Sequence, residues 1–218
     1  MASLARRQPA TAMQLFERNT EVDRLSEALQ RSRDADQTLD LQVTLAWYLR
    51  QRDNTRAQQL LQLARTRIDN QPLSPALEQH RARLLLVEGE TLWLLSDFDS
   101  ATRAAHAALV VFESQGHFAG CADCHALIVS VCSSTGELPK RDAALAQAVD
   151  YARQAQDAHR LDFFEANQAR YAGLRYVHLA SQQWRQRFPD EVSNAHPAQS
   201  FFKTAALGIG AVKDGKIF

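Results

Sequence analysis

The sequence predicts an all-α chain, an α-solenoid of antiparallel helix pairs with about four repeats, and three observations carry that prediction. Apolar residues recur at three- and four-residue steps from residue 36 to residue 182, with Ala, Leu, Gln, Arg and Glu filling the positions between them. Only eight Gly and six Pro occur in 218 residues, so turn formers are scarce and long helices with short connections fit best. A two-helix pattern also repeats: RDNTRAQQLLQLA and SDFDSATRAAHAA superpose with Ala57 on Ala101 and Ala64 on Ala108, and Ala144 and Ala148 take the same places in a third unit.

Taken in order, the elements start with residues 11 to 33, where Leu15, Phe16, Val22, Leu25 and Leu29 mark a helix and Thr20-Glu21-Val22-Asp23 resembles a capping box. Residues 1–35 are therefore assigned to an N-terminal capping region. The repeats occupy 36–188. DQTLDLQVTLAWYLRQR is followed by NTRAQQLLQLARTRI, with Asp53 as the expected N-cap between them. Ser74 before Pro75 opens the next helix, SDFDS turns the chain, and Gly116 ends the helix after it. CADCHALIVSVC, the break SSTGELP and KRDAALAQAVDYARQAQ form a third pair, and a fourth is expected from about Leu161. The segment 189–218 differs in composition, with three of the four lysines after residue 200. Its stretch Phe201–Val212 is read as one more helix, a cap or an unfinished repeat.

Composition excludes several function classes. Lys plus Arg and Asp plus Glu balance at 25 each, which leaves no overall field to draw nucleic acid or an anionic membrane. No signal-like apolar stretch is read near the N-terminus, so the expected compartment is the cytoplasm. The three cysteines, Cys121, Cys124 and Cys132, crowd into a short window and suit reduced thiols better than a disulfide framework.

Two motifs invite chemistry and are set aside. Cys121-x-x-Cys124-His125 has the spacing of c-type haem attachment. However, Cys121, Cys124, Ile128, Val131 and Cys132 fall on one helical face, where cysteine behaves as a small buried hydrophobe. GAVKDGKI (210–217) fits Gly-x4-Gly-Lys but has Ile217 where a phosphate-cradling loop needs Ser or Thr. The histidines form no metal-ligand spacing and there is no Gly-x-Ser-x-Gly elbow, so no catalytic residue, metal or cofactor is expected.

The helix pairs resemble the tetratricopeptide repeat family in a long-repeat variant. Tyr48, Asp53, Ala57, Leu61 and Ala64 match its pattern in the first unit, and Gly89, Leu92, Asp97, Phe98, Ala101 and Ala108 match it in the second. Leu45 departs from it, and the third unit carries an extra Gly-Glu-Leu-Pro turn. The resemblance implies a scaffold that binds a peptide or protein in a groove lined by the first helix of each pair. Projected onto this chain, that groove takes Gln42 and Arg50 in the first unit, Arg83, Glu90 and Trp93 in the second, and Val129 with Ser133 in the third. It also implies a non-catalytic regulatory region of a bacterial signalling protein, such as one preceding a diguanylate cyclase or transcription-regulator domain. A homodimer is compatible with this, while nucleic acid and membrane are not expected as partners. The rival expectation is a small-molecule or metal sensor built on the helix that bears Cys121 and Cys124.

Overall fold

The computed structural model describes residues 13–72 and 74–187. Among these there are eight helices and no strand: α1 (Asn19–Arg31), α2 (Ala35–Leu49), α3 (Asn54–Asp69), α4 (Pro75–Leu94), α5 (Phe98–Ser114), α6 (Phe118–Thr135), α7 (Leu138–Gln154) and α8 (Ala158–Arg187). The expected helix and phosphate-loop look-alike of the C-terminal segment lie outside the described residues.

Side chains cap several of these helices, and Asp53 and Ser74 do so where the sequence indicates. Asp34, Asp53 and Asp97 accept the backbone N–H of Gln37, Arg56 and Ser100 at 2.7, 3.0 and 3.1 Å. Ser74 does the same for Leu77 at 3.3 Å, with Pro75 in the first turn where its missing N–H costs nothing. The expected capping box at 20–23 does not form. Helix α1 begins earlier, after Arg18, whose side chain makes no capping bond.

One turn design is used four times. Ser96, Gly116, Gly136 and Gln156 each have positive φ, and each is followed by the N-cap residue of the next helix. That next residue returns its N–H to a carbonyl five positions back: Asp97 to Leu92, His117 to Phe112, Glu137 to Cys132 and Asp157 to Ala152, at 2.8 to 3.1 Å. This is the Schellman closure, which satisfies a helix's last carbonyls while aiming the chain into the following helix. Ser96 and Gln156 adopt this conformation despite carrying a Cβ.

Two helix types alternate. In α3, α5 and α7 the buried residues keep to one stripe, such as Ala101, Ala104, Ala105, Ala108 and Phe112. In α2, α4 and α6 burial extends around more of the helix: residues 45 to 49 of α2 and 120 to 124 of α6 are continuously buried. The packing explains why. Each of α2, α4 and α6 meets the helix that follows it, α2 also meets α4, and α4 also meets α6. Ala57, Ala64, Ala101, Ala108 and Ala148 are 0% exposed, so the small residues of the repeat are interior spacers. Gly89 marks the closest approach: a Cβ there would lie 2.6 Å from Leu127 Cδ2 and 3.3 Å from the Ala104 Cβ.

The expected fourth pair beginning near Leu161 is not seen. Residues 158–187 form one 30-residue helix that runs through Gly173 without a break. The chain divides into two compact units, and the division falls within α8, between Asp162 and Phe163. In the second unit, Phe163 meets Phe164 edge-on at 5.5 Å, and Tyr176 and Leu179 are exposed. Helix α6 is long and apolar enough, by length and composition, to cross a membrane; here half of it is buried inside the protein.

Replacing Gly89 by Val forces Leu127 and Ala104 to give way, and the expected result is a loss of about 1–3 kcal/mol in urea unfolding. Unchanged stability contradicts the close approach.

Candidate functional site

Helices α2, α4 and α6 and the start of α8 share a buried ionic network. Asp123, in α6, is 2% exposed and lies between two guanidiniums. Arg83 of α4 donates through Nη1 to its Oδ2 at 2.6 Å, and Arg160 of α8 donates through Nε and Nη2 to its two oxygens, both at 2.9 Å. Burial works against the Asp123 charge, yet Arg160 and then Arg83 outweigh it and hold its carboxyl below the usual carboxylate range. Arg160 is 0% exposed and is held from its other side by Asp157, which accepts its Nη1 at 2.6 Å and also caps α8 through the Arg160 backbone N–H at 3.0 Å.

A second pair continues the network. Arg50, which follows the last residue of α2, is 2% exposed; its Nε faces Glu90 of α4 at 3.4 Å and its Nη1 donates to the Trp47 carbonyl at 2.7 Å. The other Glu90 oxygen accepts from the Gln51 amide at 2.8 Å. The Trp47 ring joins the halves: the Arg50 guanidinium carbon lies 3.4 Å from its centroid and that of Arg83 lies 4.3 Å away. The chain of contacts therefore runs Glu90, Arg50, Trp47, Arg83, Asp123, Arg160 across α2, α4, α6 and the start of α8.

This network holds a segment of the protein itself. Residues 13–18 are in no helix, and their main chain is gripped at successive carbonyls. Arg160 Nη2 donates to Met13 O at 2.8 Å, Trp47 Nε1 donates to Gln14 O at 2.9 Å, and Arg50 Nη1 donates to Leu15 O at 3.2 Å. The Gln14 N–H donates to the Tyr48 hydroxyl at 3.1 Å, and Arg52 donates to Glu17 O and, at 3.1 Å, to Asn19 Oδ1. Leu15 is 2% exposed, and the Phe16 ring lies 5.1 Å from the Arg50 guanidinium carbon.

The groove expectation placed Gln42, Arg50, Arg83 and Glu90 as side chains offered to a partner, and the structure puts all four inside, between 2% and 5% exposed. Their charges pair across helices, and the N-terminal segment covers Arg50. The Gln42 Oε1 is buried without a hydrogen-bond partner. Trp93 is half-buried and donates to Ser134 Oγ at 2.9 Å, so it lies apart from the network. Val129 is buried, and Ser133 is exposed with its hydroxyl donating to the Val129 carbonyl at 2.7 Å. Sequence reasoning missed Asp123, Arg160 and the 13–18 segment. One signal was present: Asp123 is the sole charged residue in the eighteen of α6.

The cysteines are interior, as their helical stripe predicts. Cys121 and Cys124 are 0% exposed and Cys132 is 6% exposed. Burial pushes the Cys121 thiol up to about 11 and raises Cys124 well above the ordinary value. A cleft between α5 and the α6–α7 turn, with Asp99, Arg103, His106 and Lys140 on its walls, reaches Cys132 and neither of the other two. Among the described residues no group of three His, Cys, Asp or Glu side chains could hold a metal. His117 has a structural duty: its Nδ1 accepts the Gly120 N–H at 3.0 Å and caps α6. No family model matches this chain, and no curated protein or solved structure is significantly similar to it.

Two outcomes follow from this geometry. Asp123→Asn leaves two guanidiniums buried around a neutral amide, and its expected cost in urea unfolding is roughly 3–5 kcal/mol; a cost under about 1 kcal/mol contradicts the network. Burial, and after it the Arg83 charge, lower the His117 pKa from 6.5, so below that pH the unfolded chain takes up a proton that the folded chain refuses. Stability is then fully present above about pH 6.5 and falls as pH drops toward the folded value. Because Asn also caps helices, His117→Asn keeps the cap, and its stability should fall less between pH 7 and 5 than that of the wild type. His125, also lowered by burial, retains the remaining slope.

Proposed function

We propose that the chain is a non-catalytic helical-repeat module, an α-solenoid of tetratricopeptide type, that binds a peptide or protein partner along the first helices of its units. Support for the architecture comes from helix starts at 35, 75, 118 and 158, from the recurring Schellman turn, and from the alanine spacers. The observation that carries the function is the grip on residues 13–18. Donors on α2 and at the start of α8 are fixed by their own ion pairs and aimed at main-chain carbonyls, which every polypeptide offers.

Such a surface suits recognition because its donors are ordered before the partner arrives, so little conformational freedom is lost on binding. Arg50 and Trp47 are also residue types that dominate binding energy when desolvated. The role we assign is regulatory, within a bacterial signalling protein whose output lies in a separate domain. A sensor built on Cys121 and Cys124 finds no comparable support, since both thiols are sealed in the interior.

Selection from a random peptide library on the full chain tests the reading. It predicts enriched peptides whose affinity for the Leu15→Ala/Phe16→Ala chain, in which the protein's own segment competes weakly, falls about threefold to tenfold on adding Tyr48→Phe or Arg52→Ala, each of which removes one contact to the main chain. Absence of enrichment, or equal affinity for all three proteins, overturns it.

A further inference from the structure

We propose that residues 13–18 are a built-in occupant of this site, and that the partner is a short non-helical peptide bearing an aliphatic–aromatic pair, which displaces the segment by taking its place. The inference rests on the peptide-binding reading above and assigns that site its ligand chemistry and its closed state.

The grip has a general part and a selective part. Three consecutive carbonyls, Met13, Gln14 and Leu15, accept from Arg160, Trp47 and Arg50, and this pattern is independent of side-chain identity. Selectivity comes from the two residues that follow into the site. Leu15 is buried, and Phe16 faces the Arg50 guanidinium. A competing peptide that offers the same carbonyls and the same pair satisfies every donor the segment satisfies.

The site persists when the segment leaves. Arg50 keeps Glu90, the Trp47 carbonyl and the face of the Trp47 ring; Arg160 keeps Asp123 and Asp157. The segment, in contrast, belongs to no helix. It adds no turn to a helix, and the helix it leads into starts at Asn19 behind an N-cap that makes no side-chain bond. Opening therefore breaks the grip and leaves the helices intact, which places it at the low-energy end of local unfolding. Covalent attachment supplies the segment at an effective concentration in the millimolar range, so a free peptide meets a site that is mostly filled, and its apparent affinity is reduced by the open fraction.

A fluorescein-labelled peptide with the sequence of residues 11–19, TAMQLFERN, is titrated by anisotropy against the full wild-type chain and the full Leu15→Ala/Phe16→Ala chain, whose site-side residues are unchanged. The proposal expects the variant to bind the peptide at least about tenfold more tightly, because its own segment competes poorly. The same peptide with both residues changed to Ala should bind neither protein. Should circular dichroism show that the double variant fails to fold, Phe16→Ala alone carries the comparison, with an expected gain of about threefold. Equal affinity for wild type and variant, or no binding to the variant at roughly 1 mM, overturns the proposal. If the library selection still yields binders that depend on Tyr48, the displacement alone fails; if that selection is empty too, the peptide-binding reading falls with it.

Discussion

The fold depends on one carboxylate being buried between two guanidiniums. Asp123 sits on the most apolar of the described helices, and its charge is tolerated because Arg83 reaches it from α4 and Arg160 from the start of α8. A buried ion pair adds little net stability over well-packed apolar residues of equal volume, whereas breaking one exposes the full desolvation penalty. We therefore read its role as register. Helices α4 and α6 and the start of α8 can slide or rotate only by uncovering a charge, while the alanine and glycine contacts between them tolerate small shifts more cheaply.

From that constraint follows the ordering of the neighbouring surface. Arg83 stacks on Trp47, Trp47 stacks on Arg50, and Arg50 meets Glu90, so a position fixed at Asp123 is passed along to the donors on α2. Arg160 takes part directly, with one face on Asp123 and one donor on the Met13 carbonyl. The charges that hold the helices in register are thus those that hold the N-terminal segment.

Much of the architecture was legible in the sequence because its signals are local. Asp53, Asp97 and Ser74 cap within three residues of their own position, and the alanines of the repeat declare a close helix contact by their size. The cysteines of Cys-x-x-Cys-His were correctly placed in the interior by their spacing. The site was harder to read because its partners lie about one repeat apart: Arg50 and Glu90 are separated by 40 positions, Arg83 and Asp123 by 40, and Asp123 and Arg160 by 37. The resemblance projects Arg50, Arg83 and Glu90 into an open groove, and only the three-dimensional pairing reveals them as buried. In the hexapeptide GCADCH the informative residue proved to be the aspartate, hidden between two cysteines that attract more notice. The single helix α8 differs for another reason: periodicity locates a helix face well and its ends poorly, and Gly173 lies inside the helix without ending it.

The central claim is that a preordered inner surface holds residues 13–18 by contacts that open independently of the helices. Hydrogen exchange of the Trp47 indole N–H, which is bonded to the Gln14 carbonyl, measures that opening directly. The account predicts exchange much faster than that of the α6 backbone amides between Leu127 and Cys132, under conditions where the helices stay folded. Exchange as slow as in α6 would mean that the segment is released only by global unfolding, and would contradict it.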